Sequence, residues 1–416
     1  MTNGLEYYFK TIETKLNKKL GHKFLYKKTH DNYQNQLIRL RKEVKHRQLN
    51  VIFLVSEKQK WGYQQLYEAM LKDKNFNPII VASCIKSKYK YSDNQACSVD
   101  DNYEFFKSKN INVVKGYVDG KYVDLQTFNP DIVFYQQPWE IAEIHLPIIV
   151  SKFALCCYCS YSIASTLIGS KRNKEFFYTL WKYFLAHECM KKEYADWMKY
   201  NHESLYVTGH PKLDVFNKNN QLAPVKNKHF VIYAPHFSVG KTSLNFATFD
   251  WSGKFMLEYA KSHPEINWVF KPHPQLRRHF IQTHYMTEDE LNEYFAEWEE
   301  IGMVCNEGNY FDIFKSSDAM ITDCGSFCVE YFFTGKPLLH CISSNSKPHS
   351  ALNQLVNKNH YSIFNQETLK AYLDEIVIKK NDFLKEVRDL AVKEIFPDTL
   401  NSSENIINYL KNELEI

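Results

Sequence analysis

This sequence lacks the marks of several broad protein classes. Its first residues are charged and contain no apolar core of a secretory leader, so none is expected. The best candidate for a membrane span, residues 146–169, contains Lys152 and several serines. It reads as a buried strand followed by a loop rather than as a span. Ten cysteines form no disulfide-like framework. Cys156, Cys157 and Cys159 sit in an apolar run as small hydrophobes, and no second Cys or His pair completes a zinc site. Free thiols fit a reducing cytosol, so a cytoplasmic location is expected. No acidic cluster has metal-ligand spacing, so no metal site is expected. No repeat of fixed period is visible. No RNA- or DNA-binding motif is present, which argues against a nucleic-acid partner.

What is present is ordinary in bulk and uneven in detail. A chain of 416 residues is too long for one core. Roughly 100–200 residues per domain gives two or three domains. The 44% hydrophobic and 24% charged content is that of a globular protein. The net charge is +4, yet residues 1–50 hold twelve Lys/Arg against four Asp/Glu, or +8, leaving −4 for the remainder. That stretch reads either as a solvated helical face or as a surface lying against anionic lipid headgroups on the inner face of the cell membrane.

Residues 5–48 carry no proline and read as one or two helices. Beyond them, short β-branched apolar runs alternate with helix-length segments: 50–55, 78–82, 111–114, 131–135, 154–159, 184–186 and 204–207. A polar stretch at 217–227 reads as a linker. A second series follows at 230–234, 266–271, 303–305, 319–322 and 337–340, and residues 367–416 read as helical. Strands spaced by helices imply βαβ units and parallel sheets. The predicted fold is α/β of the GT-B type: two Rossmann-like domains, 49–217 and 226–400, facing a central cleft. A basic helical extension, 1–48, precedes them and a helix, 401–416, follows. Ligands of such sheets bind beyond the carboxyl ends of the strands, and four motifs fall there.

Gly209-His210-Pro211-Lys212-Leu213-Asp214 forms a sharp turn that brings His210 to the cleft; its plainer reading is a turn before a helix capped by Asp214. Tyr233-Ala234-Pro235-His236-Phe237-Ser238 offers His236 and Ser238 as donors to a phosphate. The Gly240-Lys241-Thr242 that follows is no P-loop, because Pro235 stands where that pattern needs glycine. Phe270-Lys271-Pro272-His273-Pro274-Gln275-Leu276-Arg277-Arg278 gathers Lys271, His273 and Arg277 on a proline-stiffened loop, a cationic cradle suited to a pyrophosphate. In Asp323-Cys324-Gly325-Ser326, a strand runs into a helix. There Gly325 permits a tight turn, Ser326 caps the helix, and the helix start offers free N–H groups to an anion. Glu330, one turn on, could accept ribose hydroxyls or simply complement the helix dipole. Asp323 itself could be no more than a capping residue.

Taken in order, GHPKLD, YAPHFS, FKPHPQLR and SDAMITDCGSFCVEYFFTGKP resemble the CDP-glycerol glycerophosphotransferase family of teichoic acid, capsule and lipopolysaccharide synthesis. The resemblance covers residues 204–345. It implies a CDP-glycerol or CDP-ribitol donor bound by the second domain, a glycan or lipid-linked glycan acceptor at the first, and release of CMP. It makes His273 and Arg277 pyrophosphate ligands and Asp323, Gly325 and Ser326 the loop around the donor phosphates. Glu330 falls where the family has an acidic residue near the nucleotide. Lys, His and Arg could neutralise the phosphates, so no cofactor is expected and magnesium is not expected to be obligatory. One departure stands out. Teichoic acid polymerases carry a His-Gly-Thr whose His is read as the general base, and residues 155–162 here contain none. His145 and His236 are the candidates, since an unperturbed histidine titrates near cytosolic pH; a buried structural histidine is the rival reading of either, and above all of His145. The rival readings are a nucleotide-sugar glycosyltransferase of the same fold and a non-catalytic CDP-alcohol-binding protein.

Overall fold

The computed structural model describes residues 2–84, 99–163, 173–217, 230–240, 245–305, 310–347, 349–397 and 401–416, with side chains from residue 21 onward. The linker read at 217–227 lies, after Asn217, outside the described residues.

The chain divides into two compact units. The first comprises residues 1–214 and 401–416, and the second residues 215–400. The first is built on a seven-stranded sheet of β1 (Leu49–Val55), β2 (Phe76–Ala82), β3 (Val113–Lys115), β6 (Ile132–Tyr135), β7 (Leu155–Cys159), β8 (Lys182–Leu185) and β9 (Leu205–Val207). Its order is β3-β2-β1-β6-β7-β8-β9 and every pairing is parallel. A small antiparallel hairpin, β4 (Tyr117–Val118) and β5 (Lys121–Tyr122), interrupts the crossover from β3 to β6. The central strands are apolar and buried on both faces, as parallel sheets covered by helices require.

The second unit repeats the plan with β10 (Val231–Ala234), β11 (Trp268–Phe270), β12 (Met303–Val304), β13 (Ala319–Thr322), β14 (Leu338–Cys341) and β15 (Tyr361–Ile363). Their order is β12-β11-β10-β13-β14-β15, again all parallel. The order reverses between β1 and β6 in the first sheet and between β10 and β13 in the second. At such switch points flanking loops diverge to opposite faces and leave a crevice.

Two segments read from the sequence as appendages are integral to the first unit. The helix Thr2–Glu43 buries Tyr33, Leu37 and Leu40 at helical spacing. Tyr33 donates to the Thr179 carbonyl at 2.6 Å and Gln36 to the Lys152 carbonyl at 2.8 Å. Arg47, just beyond it, holds the buried carboxylate of Asp131 through both terminal nitrogens, at 2.6 and 2.9 Å. The helix Ser402–Leu414 starts on Asp214, whose oxygens accept the Ser402 and Ser403 N–H groups at 2.8 Å each. Asp214 therefore does not cap a helix that follows its own turn, as the plainer reading of the GHPKLD motif has it; it holds the first N–H groups of a helix almost two hundred residues away.

Candidate functional site

In the second unit the segments leaving β10, β11 and β13 meet at the switch point. Asp323 ties them together. One of its oxygens accepts the His236 N–H at 2.5 Å, and the other accepts the Thr248 N–H at 2.6 Å and the Thr248 hydroxyl at 3.0 Å. It is 2% exposed, and burial raises its pKa to about 7. Its oxygens are occupied by protein donors, so Asp323 braces the loops of the cradle.

The imidazoles share one local motif. The Nδ1 of His236 accepts the Ser238 N–H at 3.3 Å, that of His273 accepts the Gln275 N–H at 3.1 Å, and that of His210 accepts the Lys212 N–H at 3.1 Å. Each ring thus imitates the side chain of an Asx turn. Burial lowers the pKa of all three, to about 3 for His210 and His273, so the neutral rings carry their proton on Nε2. His236 and His273 face each other, ring centres 4.9 Å apart, and present N–H donors. The Ser238 hydroxyl is taken up internally: it lies 2.8 Å from His236 Nδ1 and accepts the Phe246 N–H at 2.9 Å.

Lys271 follows directly after β11 and is 4% exposed. Among the described residues its ammonium meets only the rings of Tyr310 and Phe327, at 5.3 and 5.8 Å. Burial pulls its pKa down, against the opposing pull of Cys305, Cys324 and Glu330. A buried cation without an anionic contact is costly and calls for an anion. Beside it the helix Gly325–Phe332 begins, its first-turn N–H groups free of intrahelical partners.

Several residues are used differently from their sequence reading. Cys324 is the N-cap of that helix, and Ser326 lies inside the first turn with its hydroxyl 3.3 Å from the Cys324 thiol. At Gly325 a Cβ would sit 3.1 Å from Nδ1 of His349, so that ring would have to give slightly. Glu330 is 1% exposed and accepts the Tyr310 hydroxyl at 2.6 Å. Arg277 turns to Asn292, at 2.5 Å, and covers the ring of Phe295 at 4.8 Å. His210 belongs to the first unit. It is 2% exposed with its Nε2–H on the Ser160 carbonyl at 2.6 Å, so both nitrogens are spent. Thr248, Tyr310 and His349 were not singled out from sequence, and no motif marks them.

The first unit has its own pocket at its switch point, lined by Ser56, Ser83, Cys84, Gln136, Gln137 and His145. The Nε2 of His145 lies 2.8 Å from the Val123 carbonyl, which can only accept. The proton is therefore on Nε2, and Nδ1 keeps its lone pair. Burial lowers the pKa of His145 as well. Among the described residues no group of three His, Cys, Asp or Glu is arranged to hold a metal ion, and no helix is long and apolar enough to cross a membrane.

Comparison with solved structures fixes the fold. The chain is similar to a UDP-GlcNAc 2-epimerase from Neisseria meningitidis, with a TM-score of 0.55, 13% identity and 88% and 100% of the two chains covered. It is similar to a glycosyltransferase from Rickettsia africae, with a TM-score of 0.51, 13% identity and 88% and 99% covered. It is also similar to the wall teichoic acid polymerase TagF, with a TM-score of 0.53, 12% identity and 94% and 98% covered. The α/β fold of two parallel sheets read from the sequence as GT-B is the one these proteins share. No curated protein matches the chain by sequence. Residues 165–344, which carry the loops after β9, β10, β11 and β13, match a family of transferases, the CDP-Glycerol:Poly(glycerophosphate) glycerophosphotransferases, and this is the family that the four motifs resemble.

Proposed function

We propose that the protein transfers glycerol phosphate, or a related alditol phosphate, from a CDP-alcohol to a hydroxyl of a surface-polysaccharide or lipid-linked glycan, releasing CMP. The observation that carries this reading is Lys271: a buried cation that, among the described residues, meets two aromatic rings and no carboxylate, beside a helix start and two N–H-presenting imidazoles, in the stretch that matches the family. The donor diphosphate rests against Lys271, the Nε2–H groups of His236 and His273 and the first turn at Gly325 and Ser326. Fixed donors that stabilise charge on the leaving phosphate suit phosphoryl transfer, which depends mostly on positioning and electrostatics. The tautomers separate the two base candidates. His236 offers a proton and acts as a donor to phosphate. His145 offers a lone pair, held in place by the Val123 carbonyl, and takes the proton of the attacking hydroxyl. No obligatory metal enters this scheme; activity abolished by EDTA and restored by magnesium would overturn that part.

Exposed Lys23, Lys27 and Lys28 on the first helix suit an anionic lipid surface, whereas Arg39 and Arg47 are occupied by Glu43 and Asp131. The test of the main proposal is CMP release by the purified protein offered CDP-glycerol, CDP-ribitol, CMP-sialic acid and UDP-sugars, with and without a membrane-glycolipid extract. Release from a CDP-alcohol, stimulated by the extract, is expected. Turnover of a sugar nucleotide alone would replace this reading with that of a glycosyltransferase.

A further inference from the structure

Three neighbouring segments of the first unit hold groups that this scheme does not use. They leave the carboxyl ends of β1, β6 and β7, which lie side by side at the switch point. Trp139 and Tyr161 stand perpendicular, at 90°, with ring centres 6.1 Å apart. The Lys60 ammonium lies 5.6 Å from the first ring and 5.3 Å from the second. It also pairs with Glu57 and donates to Gln137 Oε1 at 3.0 Å. All three side chains are half-buried, unlike the core rings Phe53 and Phe134 of the same strands, which are fully buried. Glu140, next to Trp139, adopts a left-handed backbone with φ 54°, a conformation a side chain resists and one that is retained where function demands it.

We propose that this corner binds a sugar ring of the acceptor, so that the acceptor hydroxyl belongs to a saccharide and not to the end of a polyol-phosphate chain. The inference rests on the transferase reading above for its role, though not for the binding itself. A pyranose has a flat C–H face and an edge of hydroxyls. Two perpendicular rings offer the first a surface, and Lys60, Glu57 and Gln137 offer the second both donors and acceptors. The charge of Lys60 is balanced by Glu57, so this lysine serves as a hydrogen-bond donor rather than as a phosphate ligand. A polyol phosphate, in turn, has no flat apolar face to lay on Trp139.

Saturation-transfer NMR on the full chain tests this, with methyl glycosides of hexoses and N-acetylhexosamines as one set of probes and oligo(glycerol phosphate) as the other. Saturation of glycoside ring protons is expected, with at least a five-fold loss in Trp139→Ala and in Tyr161→Ala and recovery in Trp139→Phe. CDP signals should remain unchanged in every variant, which reports on folding. Signals from oligo(glycerol phosphate) without signals from any glycoside would overturn the proposal, as would undiminished glycoside signals in both alanine variants. The wild-type comparison decides even if a variant misfolds. Glycoside binding without CMP release from any CDP-alcohol would sink the transferase reading and leave the sugar site standing. CMP release without glycoside binding would do the reverse.

Discussion

The two sheets share one strand order and differ in what they place at its reversal. At the β10/β13 switch point stand a buried lysine, two imidazoles that present N–H groups and a helix start, all of them donors. At the β1/β6 switch point stand amides, hydroxyls, a histidine with a lone pair to offer and an aromatic corner. One plan, used twice, gives one switch point lined by hydrogen-bond donors and another lined by amides, hydroxyls and a neutral imidazole. The difference arises in a few residues beyond the strand ends, where backbone topology is indifferent to side-chain identity.

The sharpest way to break the comparison is to remove the cation. Lys271→Met should lower the transfer rate by on the order of 10²–10³-fold, as loss of a preorganised donor does. Glycoside binding at Trp139 should not change, and parallel rate and NMR measurements check both halves. Asp131→Ala should act on the other unit. Arg47 is 36% exposed and stays solvated, so the loss is that of the hydrogen bonds to the charged group, about 1.5–3 kcal/mol, and hydrogen exchange should show faster opening of β1 and β6 with β10 and β13 unaffected. Acid should separate the units further. His273, His340 and His360 have pKa values depressed to between about 3 and 4, and that of His236 is also lowered. Each binds a proton in the unfolded chain below about 6.5 and not in the folded one, so stability falls as pH falls through that window. Asp323, raised to about 7, works the other way, its contribution lost as pH rises through 7. With His349, five lowered histidines against one raised aspartate predict that the second unit loses protection between pH 6.5 and 4, read by hydrogen exchange, and more of it than the first, where the lowered histidines are His145, His187 and His210. The smallest effect is expected of Gly325→Ala. The added methyl displaces the flexible ring of His349, so the KM for the donor should rise several-fold with little change in melting temperature.

Much of this was legible in the sequence because strand signals are local. The runs 50–55, 131–135 and 319–322 became β1, β6 and β13 to within a residue at either end. The strand Tyr361–Ile363 was missed because three residues with an exposed serine at the centre give no apolar run. The location of the motifs was equally plain: Pro235, Pro272 and Gly325 punctuate strand ends, and the candidate site is built there. Their use was not legible. An aspartate that holds a ligand and one that holds two loops are the same letter, and only folding shows that the N–H groups of His236 and Thr248 reach Asp323. Glu330 shows the same limit, since its bond from the Tyr310 hydroxyl has no signal in the sequence. His145 was ambiguous until the Val123 carbonyl fixed its proton.

The cap that Asp214 places on the Ser402–Leu414 helix bears on synthesis. The first unit is closed by residues translated after the whole of the second, so the second is a guest threaded through its host. On the ribosome, residues 215–400 are free to fold while the seven-stranded sheet still lacks the helix whose Tyr409 packs on Phe184 and Tyr206. The unit that begins first is therefore completed last, and a nascent chain stalled before residue 401 would expose an unfinished first unit beside a finished second one.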